Sequence, residues 1–295
     1  MNAIWIVIII IIIFIILAIS YRALIKIQNS LLFLPTILQR EDYTDQSKKE
    51  LEDKYNIKIS DGTINSTNKC KIHYMYLKKN SPKLFIFAHG NGGNLNRIET
   101  SNILLLLNYG SVLLFDYRGY GISTGEPTEK GLRDDTLCVW SYATKELGYS
   151  AKDIILYGES LGCSIVSWLV YYLLKNNLEP PFGIIMQSGF YSLKDIVSDI
   201  FGSFISYLVL YEFDNIKYLK YIKKVRPNYP ILLLHSKTDN IINYSHSYRL
   251  ATETNSQLYE IQGNHINPVF DDKVKRLINN FANPIFDESH AWHSK

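Results

Sequence analysis

Three side chains in this sequence have the types that acyl transfer needs, and each stands just past an apolar run: Ser160, Asp239 and His265. A serine hydroxyl is a weak nucleophile at neutral pH and needs a base to take its proton. The base in turn needs a carboxylate to fix its tautomer and to stabilise its cationic form. Ser160 lies in Gly158-Glu159-Ser160-Leu161-Gly162, entered by the apolar run Ile154 to Tyr157 and left by a helical pattern over Leu161 to Leu174. Strand, sharp turn and helix together make a nucleophile elbow with the serine at its apex. Side chains at positions 158 and 162 would collide with the neighbouring strand and helix, which is why both are glycine. A helix starting at Leu161 points its free N–H groups to where an oxyanion would form.

The other two members follow from position. Asp239 comes just after the apolar run Pro230 to His235, at the carboxyl end of a strand, where an orienting carboxylate must come from. His265 lies in the loop after the last strand expected, Gln257 to Ile261, beside Gly263. The remaining histidines are worse placed: His73 on an early strand, His89 in a turn, His235 within a strand, His246 at a helix start, His290 and His293 in the tail. Asp214 is the rival carboxylate. The chain order Ser, Asp, His, each after a separate strand, is the order of the α/β-hydrolase fold.

These residues need a scaffold, and the sequence reads as one. Lys83 to Ala88 runs apolar into His89-Gly90-Asn91-Gly92-Gly93-Asn94, as a central parallel strand buried on both faces would. The turn lacks bulk where a hydrolase places its second oxyanion donor, so the backbone N–H of Asn91 is the partner expected for that of Leu161. His89 reads as a brace for this turn. A strand at Ser111 to Phe115 leads into Asp116-Tyr117-Arg118-Gly119-Tyr120-Gly121, where Asp116 and Arg118 are expected to hold the loop by hydrogen bonds. Further elements expected are a strand at Lys71 to Leu77, helices at Ile98 to Leu107 and Thr128 to Leu147, a strand at Gly183 to Gln187, and helices at His246 to Thr254 and Asp271 to Phe281. Residues 190–228 show no strand pattern, and Ile200 to Tyr211 reads either as a helical lid over an acyl pocket or as a plain packing helix. The fold class is therefore α/β, a mostly parallel twisted sheet with helices on both faces.

Ala3 to Ile19 is unbroken apolar sequence, mostly isoleucine, with no charge before Arg22. Met1 to Tyr21 as a helix spans about 30 Å, the thickness of a bilayer core. Ala18-Ile19-Ser20 has the small-x-small form of a cleavage site, but the run is long for a signal peptide and no Lys or Arg precedes it, which favours a retained single-pass anchor. Arg22 and Lys26 after the span lean the catalytic domain toward the cytosolic side without fixing it. Two glycosylation triplets, at Asn65 and Asn243, matter only on a luminal side. Leu24 to Pro35 is expected to form a juxtamembrane helix, lying along the interface or packing on the domain. The resulting division is an anchor at 1–21, a juxtamembrane segment at 22–55, a catalytic domain at 56–284 with its lid at 190–228, and a tail at 285–295.

Composition excludes several classes. The net charge is +3, with no long basic run, so nucleic acid is not an implied partner. Three widely spaced cysteines, Cys70, Cys138 and Cys163, form neither a disulfide framework nor a zinc site, and Cys163 reads as packing. No phosphate loop or dinucleotide motif occurs, so neither cofactor nor metal is expected.

The motifs at His89–Asn94, Asp116–Gly125, Tyr157–Gly162 and His235–Asp239, with the loop of His265, together resemble the α/β-hydrolase-domain serine hydrolases. Within them, the chain is most similar to the membrane-anchored group of bud-emergence-type hydrolases and protein depalmitoylases. Phe33-Leu34-Pro35 is similar to the aromatic-x-Pro element that this group carries after its anchor. The resemblance covers about Leu24 to Ala282. It implies hydrolysis of ester or thioester bonds in acylated or lipid-like substrates, with Ser160 as nucleophile, His265 as base, Asp239 as orienter and the N–H groups of Asn91 and Leu161 as oxyanion donors. The chain departs from the group in two places: an isoleucine anchor stands where depalmitoylases carry a Cys-rich lipidated segment, and Asn264 replaces the usual second glycine before the histidine.

Two other functions compete. A serine peptidase of the same fold needs a carboxylate for the substrate's α-amino group, and no acidic pair stands out in the lid. A non-catalytic anchored binding protein has no need of Ser160, Asp239 and His265 together.

Overall fold

The computed structural model describes residues 3–35, 45–95 and 101–283. The expected tail at 285–295, residues 36–44 of the juxtamembrane segment and the first turn of the helix expected from Ile98 lie outside the described residues.

In chain order the elements are α1 (Ala3–Leu32), α2 (Asp45–Tyr55), β1 (Lys58–Asn65), β2 (Lys71–Lys78), β3 (Leu84–Ala88), α3 (Ser101–Leu106), β4 (Ser111–Phe115), α4 (Glu129–Ser141), β5 (Ile154–Glu159), α5 (Leu161–Lys175) and β6 (Gly183–Gln187). They continue with α6 (Leu193–Phe201), α7 (Ser203–Ser206), α8 (Asn215–Val225), β7 (Ile231–Ser236), α9 (Ser245–Thr254), β8 (Gln257–Gly263), β9 (Pro268–Val269) and α10 (Asp272–Ala282).

The strands form one sheet in the order β1-β2-β4-β3-β5-β6-β7-β8-β9. From β4 to β8 every pairing is parallel; β1 and β2 join antiparallel at one edge and β9 at the other. Every residue of β3, β4, β6 and β7 is buried, because helices cover both faces. One core layer holds α5 with Leu161, Val166, Leu169 and Leu173 against Ile86, Leu156 and Ile184 of the sheet. The other puts α3 and α10, through Ile103, Leu106, Val274 and Ile278, against Phe85, Tyr157 and Leu232. All the loops that could carry chemistry therefore leave the carboxyl ends of parallel strands on one rim of the sheet.

The juxtamembrane helix expected at Leu24 to Pro35 is not a separate element but the end of α1, one helix of 30 residues. At about 1.5 Å per residue it is about 45 Å long, roughly 15 Å more than a bilayer core. Arg22, Lys26 and Gln28 interrupt its hydropathy but not its backbone, since all three are good helix formers. The stretch Ile10–Leu32 is long and apolar enough to cross a membrane, with a mean hydropathy of 2.4 in its most apolar 18 residues. Toward its end Leu24, Ile25, Gln28, Asn29 and Leu32 become half-buried, a helical stripe facing the domain. Gln28 donates to Leu208 O at 2.7 Å and accepts from Leu210 N at 3.0 Å. Phe33 is buried edge-on against Tyr211 and Phe213.

The stretch read as a lid divides in two. Helix α8 packs on α5 with Tyr218, Leu219 and Ile222 buried. In contrast, Ile200, Phe201, Phe204, Tyr207 and Leu208 are exposed, and the helical pattern breaks at Gly202 and again after Ser206.

Candidate active site

Strand β5 delivers Ser160 into a backbone conformation of φ 52° and ψ −113°, a left-handed φ that a non-glycine residue holds only under constraint. The constraint is visible. Ser160 N donates to Gln187 O of the adjacent strand at 2.9 Å, and Cys163 N returns to Ser160 O at 3.0 Å. A Cβ on Gly162 would sit 2.0 Å from Ala88 O, and one on Gly158 would sit 2.6 Å from Gly162 O. Cys163 is fully buried and donates its thiol to Gly158 O and Gln187 O. Burial pushes that thiol's pKa up, so it is packing, not a reactive thiolate.

Asp239 lies in the turn after β7, with its side chain fully buried. Its Oδ1 accepts from the N–H groups of Ile241 at 2.9 Å and Ile242 at 2.8 Å. Its Oδ2 lies 2.7 Å from His265 Nδ1 and 3.3 Å from His235 Nε2. Burial raises the pKa of this carboxyl, but the hydrogen bonds from His235, His265, Ile242 and Ile241 outweigh it and hold the group far below the usual carboxylate range. An ionised carboxylate can only accept, so the proton of this hydrogen bond is carried by His265 Nδ1.

The structure thus brings His265 and Asp239 together, and Asp214 is elsewhere: it caps α8 by accepting from Lys217 N at 3.2 Å. Ser160 and His265 line one cavity of about 410 Å³, together with Gly90, Asn91, Leu95, Ile103, Ile241, Ile266 and Leu34 from the chain following α1. Ser160 and His265 are not hydrogen-bonded to each other among the described residues, a contact that commonly closes only with substrate in place. No residue of 190–228 lines this cavity. Asn91 stands in the turn after β3, and Leu161 is the first residue of α5, so both candidate oxyanion donors flank Ser160.

Sequence reasoning misses His235, because its strand position reads as core. It is fully buried, with Nε2 facing both Ile242 O at 2.9 Å and Asp239, and Nδ1 against Ser247 Oγ at 2.7 Å. Its spacing of four from Asp239 is the signal that could have found it. His89 braces its loop as expected: Nδ1 meets Gly90 O at 2.7 Å, and Tyr117 donates to His89 O. Arg118 holds its loop through Asp135, with contacts of 2.7 Å from Nη2 and 3.0 Å from Nε, and Asp116 takes no part in that pair. Among the described residues no three His, Cys, Asp or Glu side chains group as metal ligands.

The family model "Chlamydia CHLPS protein (DUF818)" matches residues 87–239, just over half the chain. Uncharacterized protein R595 of Acanthamoeba polyphaga mimivirus is 33% identical over 234 residues, 68% of this chain and 78% of that one. Protein bem46 of Schizosaccharomyces pombe is 28% identical over 176 residues, 57% of this chain and 56% of its own length. Lysophosphatidylserine lipase ABHD12 of Danio rerio is 26% identical over 193 residues, 60% of this chain and 50% of that one. Among solved structures, the Pyrococcus furiosus esterase Pf2001 superposes with a TM-score of 0.64 at 17% identity, covering 84% of this chain and 95% of that one. A lipase stands among these relatives, and the esterase shares the fold. The chain belongs to the Chlamydia CHLPS protein (DUF818) family, takes the α/β-hydrolase fold, and is similar to bem46 and the ABHD12 lipase.

Proposed function

We propose that the protein is a membrane-anchored serine hydrolase that cleaves ester or thioester bonds of single-chain acyl substrates. The observation that carries this is the 2.7 Å pairing of His265 with a buried, ionised Asp239 in a cavity that the elbow serine also lines. Ser160 Oγ attacks the acyl carbonyl carbon, and its proton passes to His265 Nε2. The imidazolium is stabilised across Nδ1 by Asp239. The carbonyl oxygen, now an oxyanion, is met by the N–H groups of Asn91 and Leu161. Collapse of this tetrahedral intermediate breaks the bond to the alcohol or thiol, which leaves with the proton from His265. Water, deprotonated by the same histidine, then releases the acid and restores Ser160.

The substrate class rests on size and surroundings. About 410 Å³ is at the small end of ligand cavities, and Leu34, Leu95, Ile103, Ile241 and Ile266 give it apolar walls suited to one acyl chain. A lysophospholipid is the lipid form that fits, in line with a lipase of that substrate among the relatives. Residues 3–21 hold the chain in a bilayer, which supplies such substrates laterally. The test is a panel of p-nitrophenyl esters, acyl thioesters, and one-chain and two-chain phospholipids in detergent, with full-length wild type and Ser160→Ala. The proposal expects Ser160-dependent turnover of single-chain substrates. Equal rates for both proteins, or a preference for two-chain lipids, would overturn it.

A further inference from the structure

The stem of the anchor helix touches the site through one side chain. Leu32 is the last residue of α1, and its C=O is among the last four carbonyls that a helix leaves without an internal partner. Asn91 supplies that partner: its Nδ2 donates to Leu32 O at 2.5 Å. Its Oδ1 accepts from Leu34 N at 3.1 Å and from Tyr120 Oη at 2.7 Å. The carboxamide therefore binds the stem as a peptide group would, one donor and one acceptor to residues two apart in the chain, and Tyr120 adds a third bond from the loop after β4. The stem cannot drift from this position cheaply, because Phe33 between the two contacts is buried in the core and Gln28 is bonded twice to residues 208 and 210. Leu34 itself forms part of the cavity wall beside Asn91 and Ser160.

From this we infer that the Asn91 side chain is a positioning residue that locks the oxyanion loop to the end of the membrane helix, so that the anchor stem completes the active site. This rests on the hydrolase reading, in which the backbone N–H of the same residue meets the oxyanion. The N–H that stabilises the transition state and the carboxamide fixed to the stem belong to one residue with few soft torsions between them. Loss of the clamp frees the turn Gly90–Gly93, whose remaining restraints include bonds to Gly90 O from Gly92 N at 3.2 Å, Gly93 N at 3.1 Å and His89 Nδ1 at 2.7 Å. A misplacement of about 1 Å at a reacting centre costs about 100-fold in rate. The oxyanion contact exists only in the transition state, so the loss falls on kcat and leaves KM nearly unchanged.

The experiment measures kcat and KM of the full chain in detergent, per site titrated to completion with a fluorophosphonate. It compares wild type, Asn91→Ala, and Tyr120→Phe, which removes a single hydroxyl from the core. Asn91→Ala should lower kcat per site about 10-fold to 100-fold with KM within about threefold, and Tyr120→Phe should lower it a few-fold. A purely structural role would lower the number of titratable sites and leave kcat per site at the wild-type value; that result, or a change confined to KM, would overturn the inference. If wild type itself shows no Ser160-dependent turnover, the hydrolase reading fails, and this inference with it.

Discussion

Two aspartates with fully buried side chains stand on the same rim of the sheet, each between two histidines, and they are built for different work. Asp239 follows β7 and receives hydrogen bonds on both oxygens: two backbone N–H groups on one, His265 at 2.7 Å on the other, with His235 at 3.3 Å. Asp116 follows β4 and accepts Leu95 N at 3.0 Å on Oδ1, while His89 and His73 remain at 3.6 and 3.7 Å, beyond hydrogen-bond distance. Its Oδ2 packs where a Cβ on Gly121 would come within 1.9 Å, so the second carboxylate fills a tight loop. The composition of the two clusters is the same. What separates them is how many donors converge on the carboxylate, and whether a histidine bonded to it also lines the cavity of Ser160.

Substitutions can break that comparison. The largest effect is expected for His265→Ala, about 10⁵-fold to 10⁶-fold in kcat, read from single-turnover ester hydrolysis. Asp239→Asn should follow at about 10⁴-fold, because an amide facing Nδ1 no longer favours the tautomer that leaves Nε2 basic. Asp239 also predicts a pH signature. Its folded pKa is depressed, so the stability it adds is fully present above the unfolded value of about 3.9 and is lost as pH falls below that toward the folded value. The difference in denaturant midpoint between wild type and Asp239→Asn should therefore hold steady from about pH 7 to pH 5 and shrink below about pH 4. Asp116→Asn should give the smallest catalytic effect, within about threefold per titrated site, while costing about 1–3 kcal/mol of stability by chemical denaturation. Equal catalytic losses at Asp116 and Asp239 would erase the distinction between the clusters.

Much of this scaffold is legible in the sequence because buried parallel strands are continuous apolar runs: Leu84–Ala88, Ser111–Phe115, Ile154–Glu159, Gly183–Gln187 and Ile231–Ser236 each stand out before a turn. Strand β1 does not. Lys58–Asn65 is mostly exposed, contains an Asp-Gly pair that reads as a turn, and pairs with β2 as an edge strand. The helix expected over Thr128 to Leu147 changes near its end, passing from α4 into a π-helical turn at Tyr142–Glu146, a hydrogen-bond choice that composition does not encode. Chain order singles out Ser160, Asp239 and His265, and the structure places His265 against Asp239 and beside Ser160's cavity. The partners that bridge distant segments leave no local trace. Asp135 is 17 residues from Arg118, Leu32 is 59 from Asn91, and Gln28 is 180 from Leu208. Such pairs are set by how elements pack, and neither residue's own neighbourhood announces them.

The account stands most directly on the reactivity of one hydroxyl. Full-length protein in detergent is treated with a fluorophosphonate probe, and the adduct is located by peptide mass spectrometry in wild type and in Ser160→Ala of equal thermal stability. A single adduct on Ser160, absent from the variant and greatly slowed by His265→Ala, is the result predicted. Equal labelling of wild type and variant, or no labelling of folded wild type, would contradict it.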